Sequence, residues 1–398
     1  MNAVKNFALH RPLLTAFALS LGAAVSLGMS RFSYALLLPP MRTDLGWSYL
    51  LAGAMNTGNA SGYLIGALLT PALMRRFGAQ AALIGGAVLT AVFMLLSGFV
   101  VDADLLLIQR VLAGVASALV FIAGGVLAAR LGSAHLRQAG LLIGVYYGGT
   151  GFGIVLSALL VPLSLNLAAG HGIAHAWQWA WLVLGAMCLL ATVAMTLPAH
   201  QIDGAVAAPG EHGKFRARAF GFGLAGYFMF GMGYIGYMTF VVALLKEQGM
   251  SAGRITIFYS MLGLAVVASS RIWAGLLDRS KGGGALAILN ALLSVATMLP
   301  VLSAAPTLVF ISGMLFGGVF LSVVASTTAL VRHNAPPAAW SAGISLFTTV
   351  FAFGQIVGPT AVGWIADKSG GLQRGLACSA LALLIGALLA SRQRPVAR

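Results

Sequence analysis

Two arginines, Arg31 and Arg110, stand inside long apolar stretches of this chain, and no Asp or Glu lies well inside any such stretch. A guanidinium in apolar surroundings costs several kcal/mol unless a cavity, a partner or water receives it. Its planar fork suits a carboxylate, which it holds through two parallel hydrogen bonds. The chemistry on offer is therefore recognition of an anionic or carbonyl-bearing solute. The competing reading is structural: the head groups snorkel to the nearer interface or bond to backbone carbonyls. Arg271, close to the end of its stretch, reads as a snorkelling residue with Asp278 as a pairing partner.

Polar and aromatic residues recur at helical spacing. Asn56, Asn59 and Tyr63 fall at i, i+3 and i+7, on one helix face. Thr348, Phe351 and Gln355 repeat that spacing, and Tyr227, Tyr234 and Tyr237 gather on another segment. Tyr146, Tyr147 and Thr150 form a fourth group. Inside a membrane, polar atoms are satisfied by neighbouring helices or by a wet cavity. Any one of these residues reads equally well as glue between helices. The set, drawn from both halves of the chain, points to a central polar-aromatic cavity. The candidate binding residues are Arg31, Tyr34, Asn56, Asn59, Tyr63, Arg110, Tyr147, Tyr234 and Gln355.

Other chemistries are set aside. Gly221, Gly223 and Gly226 fit the dinucleotide pattern G-x-G-x-x-G, but a basic linker and no strand precedes them. His171 and His175 have i, i+4 spacing without an acid or Cys nearby in sequence, so no metal is expected. Cys188 and Cys378 both fall in apolar segments and read as small core residues. No nucleophile–His–acid arrangement is visible. No catalytic residue, cofactor or enzymatic activity is expected.

The elements that must position these side chains are long and oily. Hydrophobic residues make up 60% of the 398 and charged residues 8%, against roughly 25% charged in a soluble domain. Such a chain cannot cover itself with a solvated surface. Twelve stretches are long enough to span a bilayer as helices: 13–38, 50–70, 79–100, 105–129, 138–162, 177–198, 218–244, 254–276, 285–303, 308–331, 342–364 and 372–391. The fold class is an all-α membrane protein. The N-terminus has the basic start of a signal peptide, but its apolar run continues to Leu38, which is spanning length.

With the N-terminus inside, fifteen of the 23 Lys and Arg fall on the cytoplasmic side, five on the far side and three within spans. This bias places both termini in the cytoplasm. It also accounts for the net charge of +15 through anionic lipid, without nucleic acid.

A polar segment rich in Pro, Gly and charge occupies the middle of the chain, with similar lengths of apolar sequence on each side. At one offset of 203 residues, Gly28-Met-Ser-Arg-Phe-Ser-Tyr34 lines up with Gly231-Met-Gly-Tyr-Ile-Gly-Tyr237, Arg76 with Arg279, and Gly114 with Gly317. The expected organisation is a six-helix bundle over 1–198, a cytoplasmic linker over 199–217 and a second six-helix bundle over 218–398. A duplicated half of this kind is a transporter signature.

The inner loops and the fourth span carry a pattern that resembles the major facilitator superfamily over nearly the whole chain. Met74-Arg75-Arg76-Phe77-Gly78 is similar to its inner-loop motif, with Arg75 where an acid usually stands. Gly275-Leu-Leu-Asp278-Arg279-Ser-Lys281 is the second copy and keeps the acid. Arg110-Val-Leu-Ala-Gly114 resembles the helix-4 motif, while Gly144-Val-Tyr-Tyr-Gly148-Gly149 resembles the antiporter motif without its Pro. Ser30-Arg-Phe-Ser-Tyr34 leading to Pro39, with Asn59-Ala-Ser-Gly62-Tyr63, is similar to the YbfB/YjiJ-like bacterial permeases.

The resemblance implies two pseudo-symmetric bundles, alternating access, a bacterial inner-membrane location, and a cavity-lining role for Arg110 linked to proton coupling. It implies an inner gate at Arg76, Gly78, Asp278 and Arg279, with Asp278 set near a helix N-terminus or a basic partner. The arginines add an expectation of their own, a small polar or anionic organic solute. A proton-driven drug or sugar exporter is the alternative, and a membrane sensor without turnover or an intramembrane enzyme stands behind it. Expected partners are the solute, membrane lipid and protons as coupling ion, around a monomer.

Overall fold

The computed structural model describes residues 11–202, 215–368 and 370–396. Most of the expected linker, 203–214, lies outside the described residues. All twelve expected spans are helical, and no strand occurs among the described residues. We number the long helices α1 (Pro12–Leu45), α2 (Tyr49–Phe77), α3 (Ala79–Ser97), α4 (Ala103–Ala134), α5 (Ala139–Gly170) and α6 (Ala176–His200). The second half gives α7 (Gly221–Glu247), α8 (Ala252–Ile272), α9 (Gly284–Leu302), α10 (Pro306–Asn334), α11 (Trp340–Ala366) and α12 (Gly371–Ser391). Helices are forced here, because a segment in lipid must satisfy every backbone polar group internally.

Several helices outrun the apolar stretch that announces them. The 32 residues of α4 rise about 48 Å, against a hydrocarbon core of about 30 Å. Its start is fixed by Asp102, whose carboxylate accepts the Leu105 N–H at 2.9 Å. Among the described residues, eleven helices are long and apolar enough to cross a membrane. The twelfth, α2, is long enough but carries Asn56, Thr57, Asn59 and Ser61 within three turns. Two spans are not simple α-helices. In α1 the nine residues Ala24–Phe32 are π-helical, a wider turn that is rare and often functional. The expected eighth span breaks after Ile272 and resumes as a six-residue helix, Ala274–Arg279.

The contacts divide the chain into two compact units, Met1–Gly46 with Gly58–Ala207, and Trp47–Thr57 with Ala208–Arg398. In the first unit, α3 packs on α4 and α6, and α1 packs on α5. That last crossing is close: a Cβ on Gly28 would come within 2.6 Å of the Gly153 Cα, so only glycine fits. In the second unit, α7 packs on α11 and α12, α9 on α10 and α12, and α8 on α10. Within that unit, residues 47–57 are tied down at three points. Asp367 accepts the N–H groups of Tyr49 and Leu50, both at 2.8 Å, the Tyr49 hydroxyl meets Glu247, and Thr57 donates to the Ile356 carbonyl at 2.8 Å.

The repeat has a physical meaning. A Cβ on Gly114 would lie 2.1 Å from the Asn59 carbonyl, and one on Gly317 would lie 2.2 Å from the Leu262 carbonyl. Both residues of each pair are 203 positions apart, as are the starts of α2 and α8 and of α4 and α10. The same helix crossing is thus built twice.

Candidate functional site

Arg31 lies in the π-helical stretch of α1 and Arg110 in α4, each 3% exposed. Neither is a snorkelling side chain: both heads are enclosed within the first unit. Arg110 Nη1 donates to the Ser30 carbonyl at 2.9 Å, which ties α4 to α1 beside Arg31. The Arg110 guanidinium stands over the rings of Tyr34, 4.9 Å from its centroid, and Trp181 of α6, 5.5 Å from its centroid. Arg31 stands over Tyr63 of α2 at 5.6 Å. Desolvated contacts of this type contribute about 2 kcal/mol each. Asn59 Nδ2 donates to the Arg110 carbonyl at 3.2 Å, at the crossing that Gly114 permits. Five expected residues, Arg31, Tyr34, Asn59, Tyr63 and Arg110, therefore meet in one cluster.

Several polar atoms of the cluster are buried and unpaired, Asn59 Oδ1 as an acceptor among them. Asp44 pairs with His175 at 2.5 Å, away from the cluster. Arg110 Nε and Nη2 are buried without a hydrogen-bond acceptor, as are the Trp181 indole N–H and the Ser30 hydroxyl. The Nε–H and Nη2–H groups lie along one edge of the guanidinium and point the same way. That is the geometry of a two-oxygen acceptor.

The remaining candidates lie elsewhere. Tyr147 is 37% exposed on α5, against Phe121 and Tyr146 with ring centroids 5.4 and 5.1 Å away. Tyr146 itself is structural, its hydroxyl donating to the Phe121 carbonyl at 2.8 Å. Three candidates belong to the second unit. Asn56 donates to the Thr239 hydroxyl at 2.6 Å, so the amide groups of Asn56 and Asn59, although on one face of α2, donate to different helices. Tyr234 donates to Gln355 Oε1 at 3.0 Å. The Tyr234 ring belongs to a stack with Phe230 at 4.8 Å and Phe351 at 5.6 Å, and Tyr227 lies 4.9 Å from Phe351. Tyr237 is core, bonded to Ser312 at 2.7 Å and stacked on Phe316 at 4.0 Å.

The gate candidates sit at helix ends. Gly78 ends α2 with φ +85, a conformation glycine adopts without strain, and Arg76 lies over the exposed Phe77 ring at 5.2 Å. Asp278 departs from expectation. It stands at the C-terminal end of the helix Ala274–Arg279, exposed, with neither Arg271 nor Arg279 ion-paired to it. Both arginines are exposed as well, and an exposed pair gains little over hydration. Cys378 is also corrected: it is exposed on α12, and only Cys188 is core.

Two groups escaped the sequence reading. Trp181 carries no motif of its own: Trp177 and Trp181 lie in the first two turns of α6, near the interface where Trp gathers, which hides a binding role. Asp44 lies in the last turn of α1 and accepts from the Trp177 indole and from His175, both at 2.5 Å. No group of three His, Cys, Asp or Glu able to hold a metal occurs among the described residues.

Solved structures share this architecture. A bacterial homolog to the human lysosomal transporter Spinster, in an inward-facing and unoccupied conformation, is 14% identical over 95% of each chain, with a TM-score of 0.71. The nucleoside transporter NupG is 14% identical over 94% of this chain and 98% of its own, with a TM-score of 0.71. At such identities the likeness concerns the fold alone, an all-α membrane fold. No curated protein matches the sequence. A family model described as "Uncharacterised MFS-type transporter YbfB" matches residues 23–391. The match takes in every helix that carries the cluster, and the chain belongs to that family of membrane transporters.

Proposed function

We propose that this protein is a secondary transporter of a small organic anion, working by alternating access, and that Arg110 recognises the anion. One observation carries the reading: the Nε–Nη2 edge of a buried arginine has no acceptor and no carboxylate partner. A cation in that state is an expensive feature in a membrane and is best explained by a ligand that completes it. Arg31 adds a second positive charge nearby, and Tyr34, Tyr63 and Trp181 supply ring surfaces for the organic part. We extend the candidate role to Asn59 and Tyr147 and, within the second unit, to Asn56, Tyr234 and Gln355. Arg76–Gly78 and Asp278–Arg279, at the ends of α2 and of the short helix that follows α8, are proposed gate elements. The Lys and Arg bias supports a bacterial inner-membrane location with both termini cytoplasmic. Proton coupling and a monomeric state belong to the same proposal.

Thermal unfolding against organic acids, sugars and amphiphilic cations tests it. A ligand at 100 times its Kd stabilises by about 2.7 kcal/mol. Carboxylates are expected to stabilise the wild type. Arg110→Lys keeps the charge but removes the two-donor edge, and is expected to weaken their binding at least tenfold. Binding by Arg110→Lys equal to the wild type would sink the assignment. One observation favours the exporter alternative, the stack of Tyr227, Phe230, Tyr234 and Phe351, which suits planar or sugar-like faces. Stabilisation by neutral or cationic compounds alone would select it.

A further inference from the structure

We infer that Trp181 is a specificity-determining residue, whose indole N–H is the third donor to the carboxylate held by the Arg110 edge, so that the site reads a carboxylate against its uncharged amide. This rests on the anion reading above and adds to it the group that sets the substrate class.

Trp181 is 1% exposed, and its Nε1 has no acceptor. Three other indoles, one buried and two half-buried, find one. Trp177, one turn earlier on the same helix, donates to Asp44 at 2.5 Å; Trp273 donates to the Gly318 carbonyl at 2.7 Å, and Trp340 to the Ala335 carbonyl at 2.9 Å. A buried Trp ordinarily does so, because the N–H loses its water without compensation otherwise. Packing does not require the N–H: phenylalanine presents an aromatic face to Arg110 and leaves nothing unsatisfied. The indole is therefore explained by something that accepts from it.

The neighbouring group says what that is. The Arg110 guanidinium lies over the Trp181 ring, 5.5 Å from its centroid, so the unpaired indole N–H and the unpaired Nε–Nη2 edge belong to one buried cluster. A ligand held by these donors would bring its oxygens to about 2.9 Å from them, an ordinary hydrogen-bond length. A carboxylate has two oxygens and accepts at about four positions, which suits three donors. A primary amide has one oxygen and must turn its NH2 toward a donor. All three groups donate and none accepts, so the amide leaves buried polar groups unpaired, and sites of this kind discriminate strongly. The Ser30 hydroxyl, also without an acceptor beside the carbonyl that holds Arg110, is free to turn toward the same ligand.

The test compares acetate, lactate and benzoate with acetamide, lactamide and benzamide, by thermal shift on the full-length protein. For Trp181→Phe, carboxylate affinity should fall about tenfold. Amide affinity should not change, so the acid-to-amide ratio should fall by the same factor. Acids that bind Trp181→Phe with wild-type affinity and ratio overturn the inference and leave the Arg110 reading standing. If no acid binds the wild type, the Arg110 reading itself fails, and this one with it. Should Trp181→Phe not fold, nitrogen-15 labelled indoles of the wild type serve instead. The Trp181 resonance, assigned by elimination with Phe at the other six of the seven tryptophans, should move downfield on adding the bound acid. An unmoved resonance overturns the proposal.

Discussion

Replacing Gly114 and Gly317 by alanine, one at a time, tests the link between the duplicated crossing and the site. In each case the new Cβ would lie about 2 Å from a carbonyl oxygen, that of Asn59 or of Leu262. An ordinary C···O contact is about 3.3–3.6 Å, so the helices must part by roughly 1 Å or more. Overpacking of that kind costs about 1–3 kcal/mol. For a unit of about 200 residues this lowers the apparent Tm by about 2–4 °C per kcal/mol. Gly318 is the internal control, since a Cβ there meets nothing within 4 Å, and Gly→Ala in an open helical position gains about 0.5–1 kcal/mol. The two crossing variants should therefore lose similar stability while Gly318→Ala loses none. Their binding should differ. Parting α2 from α4 stretches the Asn59–Arg110 hydrogen bond and moves the Arg110 backbone, so Gly114→Ala should also weaken acid binding. Gly317→Ala disturbs Leu262 and Ala265, which carry none of the candidate groups, and should bind as the wild type does. Thermal shift with and without a bound acid reads both quantities. Unchanged Tm in both crossing variants would refute the packing argument, and equal loss of binding in both would refute its connection to the site.

Two further outcomes follow from the outer end of α6 and from the charge bias. Asp44→Asn removes the charge from two 2.5 Å hydrogen bonds, from His175 and Trp177; Asp44 and His175 are about a third exposed and Trp177 is buried. A loss of about 0.5–1.5 kcal/mol is expected in denaturant or thermal unfolding, and no loss would mean that α1 and α6 are held by packing alone. Alkaline phosphatase fused after Arg398 should stay inactive in cells, because both termini are expected in the cytoplasm; an active fusion reverses the orientation.

The helices were legible because length and apolarity alone set them, and membrane immersion leaves no other regular structure for such runs. Arg31 and Arg110 were legible for the complementary reason, a charge where charge is costly. Direction was not legible. A helix in lipid is apolar on its outer face as well as its inner one, so the periodicity that orients a helix in a soluble protein is missing. Trp181 and Trp179 sit two positions apart in one apolar run; one is 1% exposed and the other 47%. Nothing in that run distinguishes them. The π-helical stretch of α1 is hidden for a similar reason, since it contains no proline to mark a change of turn. Nor does the polar face of α2 declare that Asn56 and Asn59 are claimed by different units.

The repeat explains why the cations are confined to one unit. At the 203-residue offset, Arg31 corresponds to Tyr234 and Arg110 to Gly313. Gly313 is not a free slot. A Cβ there would lie 2.7 Å from the Phe258 ring, which takes up the space that an arginine head would need. Tyr234 in turn joins the aromatic stack rather than a charged cluster. The crossings that hold each unit together keep the same glycine at the same register, because any larger residue forces the backbones apart. The side chains one turn away are under no such constraint. One unit has filled that turn with rings, and the other has left a cation with an open edge. Packing preserves the shared architecture, and the chemistry resides in the positions that packing leaves free.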